Sequence, residues 1–292
     1  PFPHARVIAA IAQTEPYLRS TLGVLPSTPA VNQHNFSLYG AFSQFHVYGR
    51  QVGVKASQIN SDLRSLSWFL TKTGEQGGVP ESQAQMVKAV EGSAEFELHQ
   101  TWMLPDRSQL KLYHRRNPPV RVERLQEKPL SPDRLKSPIQ LDRVILPPRV
   151  PPGAPVPVTY RWQGEWEALR SGIILLTWQR QEPATEAGTQ RWLHDRAIGA
   201  GNLLPPIGQP QSLQVTETAA MLPPPDTVPG TYRLQATYVH RQTGESYPLA
   251  VPAVALQIDR AAPPVPAPEL DLITQLRQLS LALPQGTSAL DP

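Results

Sequence analysis

The stretch P-G-T-Y-R-L-Q-A-T-Y, residues 229–238, decides the fold class of the second half of this chain. Its apolar positions recur with a period of two, so that one face of a strand carries Tyr232, Leu234, Ala236 and Tyr238. The proline and glycine in front of it form a turn. Tyr232 therefore occupies the position of a tyrosine corner in a late strand of an immunoglobulin-like sandwich. We predict that its tyrosines pack in a core and do not bind a ligand.

Strand-like segments recur every ten to fifteen residues around this stretch. The candidates are residues 141–146, 156–162, 172–180, 191–198, 213–218, 231–241 and 253–258. Seven strands with proline-rich turns indicate an immunoglobulin-like antiparallel β-sandwich over residues 140–260. Residues 261–292 are predicted to be a proline linker and an amphipathic helix at 269–283, which docks on the sandwich or on a following domain. The apolar residues at helical spacing in this helix are Leu272, Ile273, Leu276 and Leu279.

The first 120 residues show a different order, in which strands and helices alternate before a hairpin. The predicted strands are residues 21–25, 45–52, 67–70, 96–103 and 109–115, and the predicted helices are 30–40, 56–63 and one that opens at Pro80. This order indicates a small three-layer α/β domain over residues 1–120, and residues 121–139 become a linker. The whole chain is thus predicted to be an α+β multidomain protein.

Composition excludes several classes of function. The 292 residues contain no cysteine, which removes disulfides, thiolate metal sites and thiol nucleophiles. A net charge of +3, without basic stripes interleaved with aromatic residues, argues against a nucleic-acid partner. No apolar run is long enough to cross a bilayer. The chain opens on Pro1-Phe2-Pro3 without an initiator methionine, and we expect it to be a piece of a longer protein.

Motifs for catalysis are missing from the sequence. The seven histidines show no H-x-x-x-H or H-E-x-x-H spacing, and the glycines at 74–78 lack the order of a phosphate-binding loop. Side chains of His194 and Asp195 would point to opposite faces of a strand. We therefore predict no catalytic residue, no cofactor and no metal ligand, although a metal site assembled from distant histidines stays open.

One polar group is a candidate ligand site. Asn32, His34 and Arg50 follow the first strand or lie in the second, near the carboxyl edge where open α/β sheets bind ligands. Arg50 could pair with a phosphate in a bidentate manner. The alternative is that these residues cap a helix and form a surface loop against the next domain.

Several segments together resemble a known family. They are residues 24–29 (VLPSTP), 32–35 (NQHN), 39–40 (YG), 47–53 (VYGRQVG), 67–74 (SWFLTKTG), 98–99, 112–115, 230–232, 241–247 and 268–272. They are similar to the region that follows the last membrane helices of cyanobacterial integral-membrane glycosyltransferases, in the dolichyl-phosphate-mannose and aminoarabinose transferase-like group. The resemblance covers nearly the whole chain, but none of its motifs is a catalytic signature.

The resemblance implies a parent protein in the cell membrane that transfers a sugar from a polyprenyl-phosphate carrier on the extracytoplasmic, periplasmic side. Its catalytic acidic residue is expected in an early loop between membrane helices, which this sequence does not contain. No catalytic residue is transferred here, and the fragment alone is expected to be inactive. Its expected partners are the membrane part of the same parent chain and a lipid-linked sugar or glycan acceptor.

Three hypotheses stay open on these grounds. The first is the extracytoplasmic tail of a membrane glycosyltransferase. The second is a non-catalytic binding or spacer module of a secreted or surface protein, supported by the sandwich and the proline linkers. The third is an independent small-molecule enzyme that uses the α/β cleft near Asn32 and Arg50.

Overall fold

The computed structural model describes residues 2–78, 82–125, 137–183, 187–205 and 212–282. The chain divides into two compact units. Unit 1 contains Pro1–Val122 and Asn202–Gln209, and unit 2 contains Glu123–Gly201 and Pro210–Pro292. None of the helices in the described ranges is long and apolar enough to cross a membrane.

Unit 1 is a five-stranded sheet with helices on both faces. Its elements are α1 (His4–Thr14), β1 (Ser20–Val24), α2 (Gln33–Phe42), β2 (Val47–Gln51), α3 (Ile59–Ser65), β3 (Trp68–Lys72), α4 (Ser82–Glu91), β4 (Phe96–Met103) and β5 (Gln109–Arg115). The strand order is β2-β1-β3-β5-β4, in which β1, β2 and β3 are parallel and β4 and β5 form an antiparallel hairpin. The predicted bounds of both hairpin strands are confirmed.

Two apolar clusters cover the two faces of this sheet. One joins α1 and α2 to the sheet through Ile11, Phe36 and Leu22. The other joins α4 to the sheet through Met86 and Phe69, with α3 packed beside it. Because both faces are covered by helices, β3 carries a run of apolar residues and does not alternate.

Residues from the later part of the chain extend unit 1. The backbone N–H of Arg19 donates to Asn202 O at 2.8 Å, and Leu18 and Leu203 form an antiparallel bridge. Nothing in the sequence predicts this contact, since the two segments are far apart along the chain.

Unit 2 contains two mainly antiparallel sheets. Its elements are β7 (Ile139–Ile145), β8 (Arg149–Val150), β9 (Val156–Glu165), α5 (Trp166–Ser171), β10 (Gly172–Arg180), β11 (Arg191–Leu193), β12 (Arg196–Ala197), β13 (Ser212–Met221), β14 (Gly230–His240), β15 (Ser246–Leu249), β16 (Ala255–Ile258) and α6 (Leu272–Ala282), and β6 (Val120–Arg124) spans the boundary at residues 122 and 123. One sheet has the order β6-β13-β9-β7. The other has the order β11-β10-β14-β16-β8, with β12 also paired to β10 and β15 to β14.

Strand β14 confirms the period of two that the sequence predicts. Tyr232, Leu234, Ala236 and Tyr238 are all buried, and the residues between them are more exposed. The hydroxyl of Tyr232 donates to Val228 O at 2.7 Å, four residues earlier in the chain. Both tyrosines therefore pack in the core of unit 2, as predicted.

The strand predicted at 191–198 is interrupted and forms β11 and β12 instead. The cause is Asp195, whose carboxylate accepts a hydrogen bond from the backbone N–H of Leu176 and so replaces a strand contact. The helix α5 and the strand β15 were not predicted. Of the predicted linker 121–139, residues 121–124 belong to strand β6 and residue 139 opens β7, while the segment 126–136 lies outside the described residues.

Helix α6 begins after Asp271, whose carboxylate accepts the backbone N–H of Thr274 at 2.8 Å. Its described part is slightly shorter than the predicted 269–283, and residue 283 lies outside the described residues. Two residues of its predicted apolar stripe, Leu276 and Leu279, are 51% and 64% exposed. These two side chains are therefore not buried against the sheets of unit 2.

Candidate functional site

Asn32 and His34 lie at the start of α2, where Asn32 is the N-cap. Its side-chain oxygen accepts the backbone N–H groups of His34 at 2.9 Å and Asn35 at 3.1 Å, and its amide donates to Thr28 O at 2.9 Å. The side chain of Asn35 accepts the backbone N–H of Asn32 in return, which completes a capping box. The exposed ring of His34 contacts the Gln33 amide at 3.0 Å. Asn32 is thus fully used in starting the helix.

Arg50 lies on the other face of the sheet. Val47 and Gly49 of β2 face α2, so the alternation of the strand directs Arg50 toward α3. There its guanidinium pairs with Asp62 at 2.8 Å, and the Asp62 side chain is only 5% exposed. Burial raises the pKa of Asp62, and the charge of Arg50 acts against this shift. The structure therefore does not bring Arg50 together with Asn32 and His34.

The carboxyl edge of the sheet holds a buried lysine instead. The ammonium of Lys72 at the end of β3 donates to Glu75 O at 2.8 Å and Thr73 O at 3.2 Å and pairs with Asp106 at 3.1 Å. Hydrogen bonds from Ser108 and Lys72 lower the pKa of Asp106 to about 2. Because the lysine already has three acceptors, its evident role is to hold the loops at this edge together.

The opposite, amino edge of the sheet gathers titratable groups around Glu15. Its carboxylate accepts hydrogen bonds from Trp68 Nε1 at 2.7 Å and Ser20 Oγ at 2.8 Å, and it lies 3.2 Å from His114 Nε2. The Glu15 and His114 side chains are only 11% and 13% exposed. Burial works to raise the pKa of Glu15, but the hydrogen bonds from His114, Trp68 and Ser20 outweigh it and lower the pKa.

Two further histidines border this group. His46 Nε2 contacts the backbone oxygen of Glu15 at 2.8 Å. His99 lies at a β-bulge between Leu98 and Gln100, and its ring is 6.3 Å from that of His114. Burial and the neighbouring His114 lower the pKa of His99. Bulges frequently redirect side chains beside functional sites.

A carboxylate next to an imidazole can orient the ring and stabilise its protonated form, which is the arrangement of a general base. Trp68 stacks on His114 at 4.0 Å, so one face of this ring is covered. Among the described residues, no group of three or more potential ligands is arranged to hold a metal ion. The Glu15–His114 pair is the candidate site that the geometry of unit 1 assembles.

Unit 2 contains a second buried polar group. Glu217 is fully buried, and its carboxylate accepts Trp162 Nε1 at 2.7 Å and lies 3.4 Å from Arg196 Nε. His194 contacts the hydroxyl of Tyr160 at 3.0 Å. Burial raises the pKa of Tyr160, while it lowers that of His194. These groups contact one another inside the core, although Arg196 Nε has no hydrogen-bond partner in the described part of the chain, so this network serves the structure of unit 2.

No family model matches this chain. No curated protein matches it either. A solved structure to which it is weakly similar is that of a Corynebacterium diphtheriae protein described as membrane-anchored. The identity is 10% and the TM-score 0.20, and the match covers 76% of this chain and 62% of the other. The chain thus spans less than two thirds of that structure, and a similarity of this size supports no conclusion about fold or function.

The Glu15–His114 pair was missed at the level of sequence because its members are 99 residues apart. No short motif connects them, and only their positions at strand ends carry a signal. Ser20 and Trp68 open β1 and β3, and His114 pairs with Trp68 across β3 and β5. Polar residues at the amino ends of neighbouring strands would have indicated a shared edge once the strand order was known.

Proposed function

We propose that this chain is a non-catalytic, extracytoplasmic portion of a membrane glycosyltransferase whose donor is a sugar on a polyprenyl-phosphate carrier. The proposal starts from the resemblance to the region that follows the membrane helices in such enzymes. The observation that carries its non-catalytic part is that the resembling segments between residues 24 and 115 form the fold of unit 1. They contact other residues of the same unit and are not gathered around a cleft.

Two glycines of the matched segments show this most directly. A Cβ atom at Gly40 would lie 1.9 Å from Val47 O, and one at Gly49 would lie 2.4 Å from Gln33 O. Only glycine permits α2 to approach β2 this closely. Gly40 and Gly49 in these segments are therefore required by the close contact between helix α2 and strand β2.

The polar residues of the same segments have internal partners as well. Asn32 caps α2, and Arg50 pairs with the buried Asp62. An arginine that is held by a buried carboxylate is less available to a phosphate ligand, because releasing it leaves a desolvated charge behind. A role in supporting the membrane part of the parent fits these residues better than catalysis does.

We also infer that unit 2 belongs to the immunoglobulin-like sandwiches. Its support is the hydrogen bond from the Tyr232 hydroxyl to Val228 O, which has the form of a tyrosine corner. Alternating burial along β9, β10 and β14 gives each of the two sheets one buried face. A rigid sandwich of this kind is a suitable spacer outside a membrane.

The flanking gene sequence is the first test of the glycosyltransferase parent. We expect the upstream reading frame to encode a series of hydrophobic spans, and a frame without them contradicts the proposal. In the second test, the full-length parent and the 292-residue chain are each incubated with a labelled polyprenyl-phosphate sugar. Transfer by the parent and none by the chain is expected, and transfer by the chain alone would show that it is catalytic.

A second candidate function, a binding or spacer module of a surface protein, is favoured by a shallow groove in unit 2. The groove has a volume of about 450 Å³ and is lined by Arg233, Leu234 and residues 251–255. A glycan array distinguishes the two functions. Saturable glycan binding that is lost in Arg233→Ala would favour a binding module of a surface protein. We expect no glycan binding if unit 2 is only a spacer in a membrane glycosyltransferase.

A further inference from the structure

One edge of unit 1 exposes large apolar side chains. At the end of α2 and in the turn that follows it, Leu38 is 53% exposed, Phe42 76% and Phe45 66%. We call these three residues the aromatic edge. Strand β2 is the outermost strand of the sheet, so no neighbouring strand covers this side. Single exposed apolar residues are ordinary, but a group of this size commonly marks an interaction surface.

Ring contacts extend the aromatic edge toward the start of the chain. Phe42 lies 6.0 Å from Tyr39, Tyr39 lies 5.0 Å from His4, and His4 stacks on Phe2 at 5.9 Å. Leu38 and Phe42 are four residues apart on one helix and therefore share a face. The rings of Phe42, Tyr39, His4 and Phe2 therefore lie side by side, and Leu38 lies next to Phe42 on α2.

The turn after α2 holds Phe45 outward at a cost in backbone energy. Gln44 and Phe45 both have positive φ angles, 54° and 58°, which are unfavourable for residues other than glycine. The backbone N–H of Phe45 donates to Gly40 O at 2.9 Å, which fixes the turn. Strain of this kind persists where the surrounding structure or a function requires it. Here it places a large apolar ring in water.

The charges exposed within residues 2–66 of unit 1 are all of one sign. Within residues 2–66 both carboxylates, Glu15 and Asp62, have side chains that are only 11% and 5% exposed. The five exposed charged residues of this range are all basic, namely Arg6, Arg19, Arg50, Lys55 and Arg64. Arg6 lies on α1, which packs on α2, and Arg19 precedes Ser20, whose backbone N–H donates to His46 O next to Phe45. These two residues bring positive charge beside the aromatic edge.

We propose that the aromatic edge docks on the headgroup region of an anionic membrane. Aromatic side chains favour the interface between lipid and water, and each nearby basic residue gains from the negative surface potential. A second copy of the chain is a poorer partner, because it would bring two positively charged surfaces together. Docking on a membrane does not require the glycosyltransferase parent, since exposure and charge alone support it.

Vesicle sedimentation of the 292-residue chain tests the proposal. We expect binding to phosphatidylcholine vesicles that contain phosphatidylglycerol, little binding to pure phosphatidylcholine, and weaker binding at high salt. The variant Phe42→Gln with Phe45→Asn should lower the partition coefficient on the order of tenfold. Asparagine tolerates a positive φ, so this variant keeps the turn. Arg19→Gln, beside the aromatic edge, should lower it about fivefold.

The opposite edge of the same sheet supplies matched controls. Leu98 and Met103 of β4 are 52% and 63% exposed, and Leu98→Gln with Met103→Gln should leave vesicle binding unchanged. Lys88→Gln on α4 is the control for charge. Equal loss in the test and control variants, or equal binding to neutral vesicles, would overturn the proposal. The proposal would also be overturned if the wild-type chain bound no vesicle type and formed a dimer in light scattering that the Phe42 and Phe45 changes abolished.

Discussion

Nε2 of His194 lies 3.6 Å from a carboxylate oxygen of Asp271, so the residue that caps the last helix contacts a histidine buried in unit 2. The other ring nitrogen of His194 contacts the hydroxyl of Tyr160 at 3.0 Å. The His194 side chain is 1% exposed. A titratable ring thus joins the start of α6 to the core of its own unit.

This arrangement predicts a dependence of stability on pH. Burial lowers the pKa of His194 below its usual 6.5, whereas the unfolded chain titrates near that value. Below about pH 6.5 the unfolded state therefore binds a proton that the folded state does not. The free energy of unfolding should fall as the pH drops from 7 to 5, by at most about 1.4 kcal/mol per pH unit. Hydrogen exchange of the amides of β9 and β10 measures this for unit 2 alone.

Two variants separate His194 from other causes of a pH effect. His194→Gln should flatten the pH dependence in unit 2, because the titrating ring is gone. His34→Gln, at an exposed position in unit 1, should leave it unchanged. A slope that is the same in the His194 variant and the wild type would contradict this origin.

The carboxylate of Glu15 predicts a large loss of stability on truncation. Glu15→Ala leaves Trp68 Nε1 and Ser20 Oγ without their acceptor and removes the partner of His114. We expect a cost of about 3 kcal/mol in the free energy of unfolding of unit 1, since each unsatisfied buried group costs about 1–3 kcal/mol. Urea unfolding followed by tryptophan fluorescence measures it.

Glu97 is the matched control, because its carboxylate is 45% exposed and pairs with Arg116 at the surface. Glu97→Ala should cost less than about 0.5 kcal/mol. The folded state also lowers the pKa of Glu15 below 4.5, so its stabilisation is present above that pH and is lost as the pH falls through the folded pKa. A cost that does not decrease at low pH would argue against an ionised Glu15.

The features that the sequence predicts well are local, and those it misses are long-range. The alternation at 229–238 predicts β14 because the period of a strand is set within a few residues. The alternative interpretation of Asn32 as a helix-capping residue is likewise local, and Asn32 is the N-cap of α2, although the helix begins three residues after the predicted start at 30. Whether Arg50 joins Asn32 depends on which face of β2 meets α2, and that follows only from tertiary packing. The pairing of Glu15 with His114 depends on strand order and could not be read from spacing.

Gly40 tests the close contact between α2 and β2. A methyl group there would lie 1.9 Å from Val47 O, a backbone atom that cannot move away as a side chain can. Gly40→Ala should destabilise unit 1 by about 2 kcal/mol or more, because the helix must shift off the strand. Gly78→Ala is the control, as a Cβ there meets nothing within 4 Å. Equal unfolding midpoints for the two variants in urea would show that the helix can move without loss.

Tyr232 tests the corner on which the immunoglobulin-like assignment of unit 2 depends. Burial raises the pKa of Tyr232 to about 12, so its hydroxyl remains a hydrogen-bond donor to Val228 O across the physiological range. Tyr232→Phe keeps the ring and removes only the hydroxyl, which lies within hydrogen-bond distance of Val228 O and, at 3.2 Å, of Thr189 O, and it should cost about 1–2 kcal/mol. Tyr247→Phe is the control, because its hydroxyl meets only the exposed Glu245 at 3.4 Å, and it should cost less than about 0.5 kcal/mol. Hydrogen exchange of the β14 amides measures both variants, and equal protection in the two would mean that the corner does not stabilise the sheet.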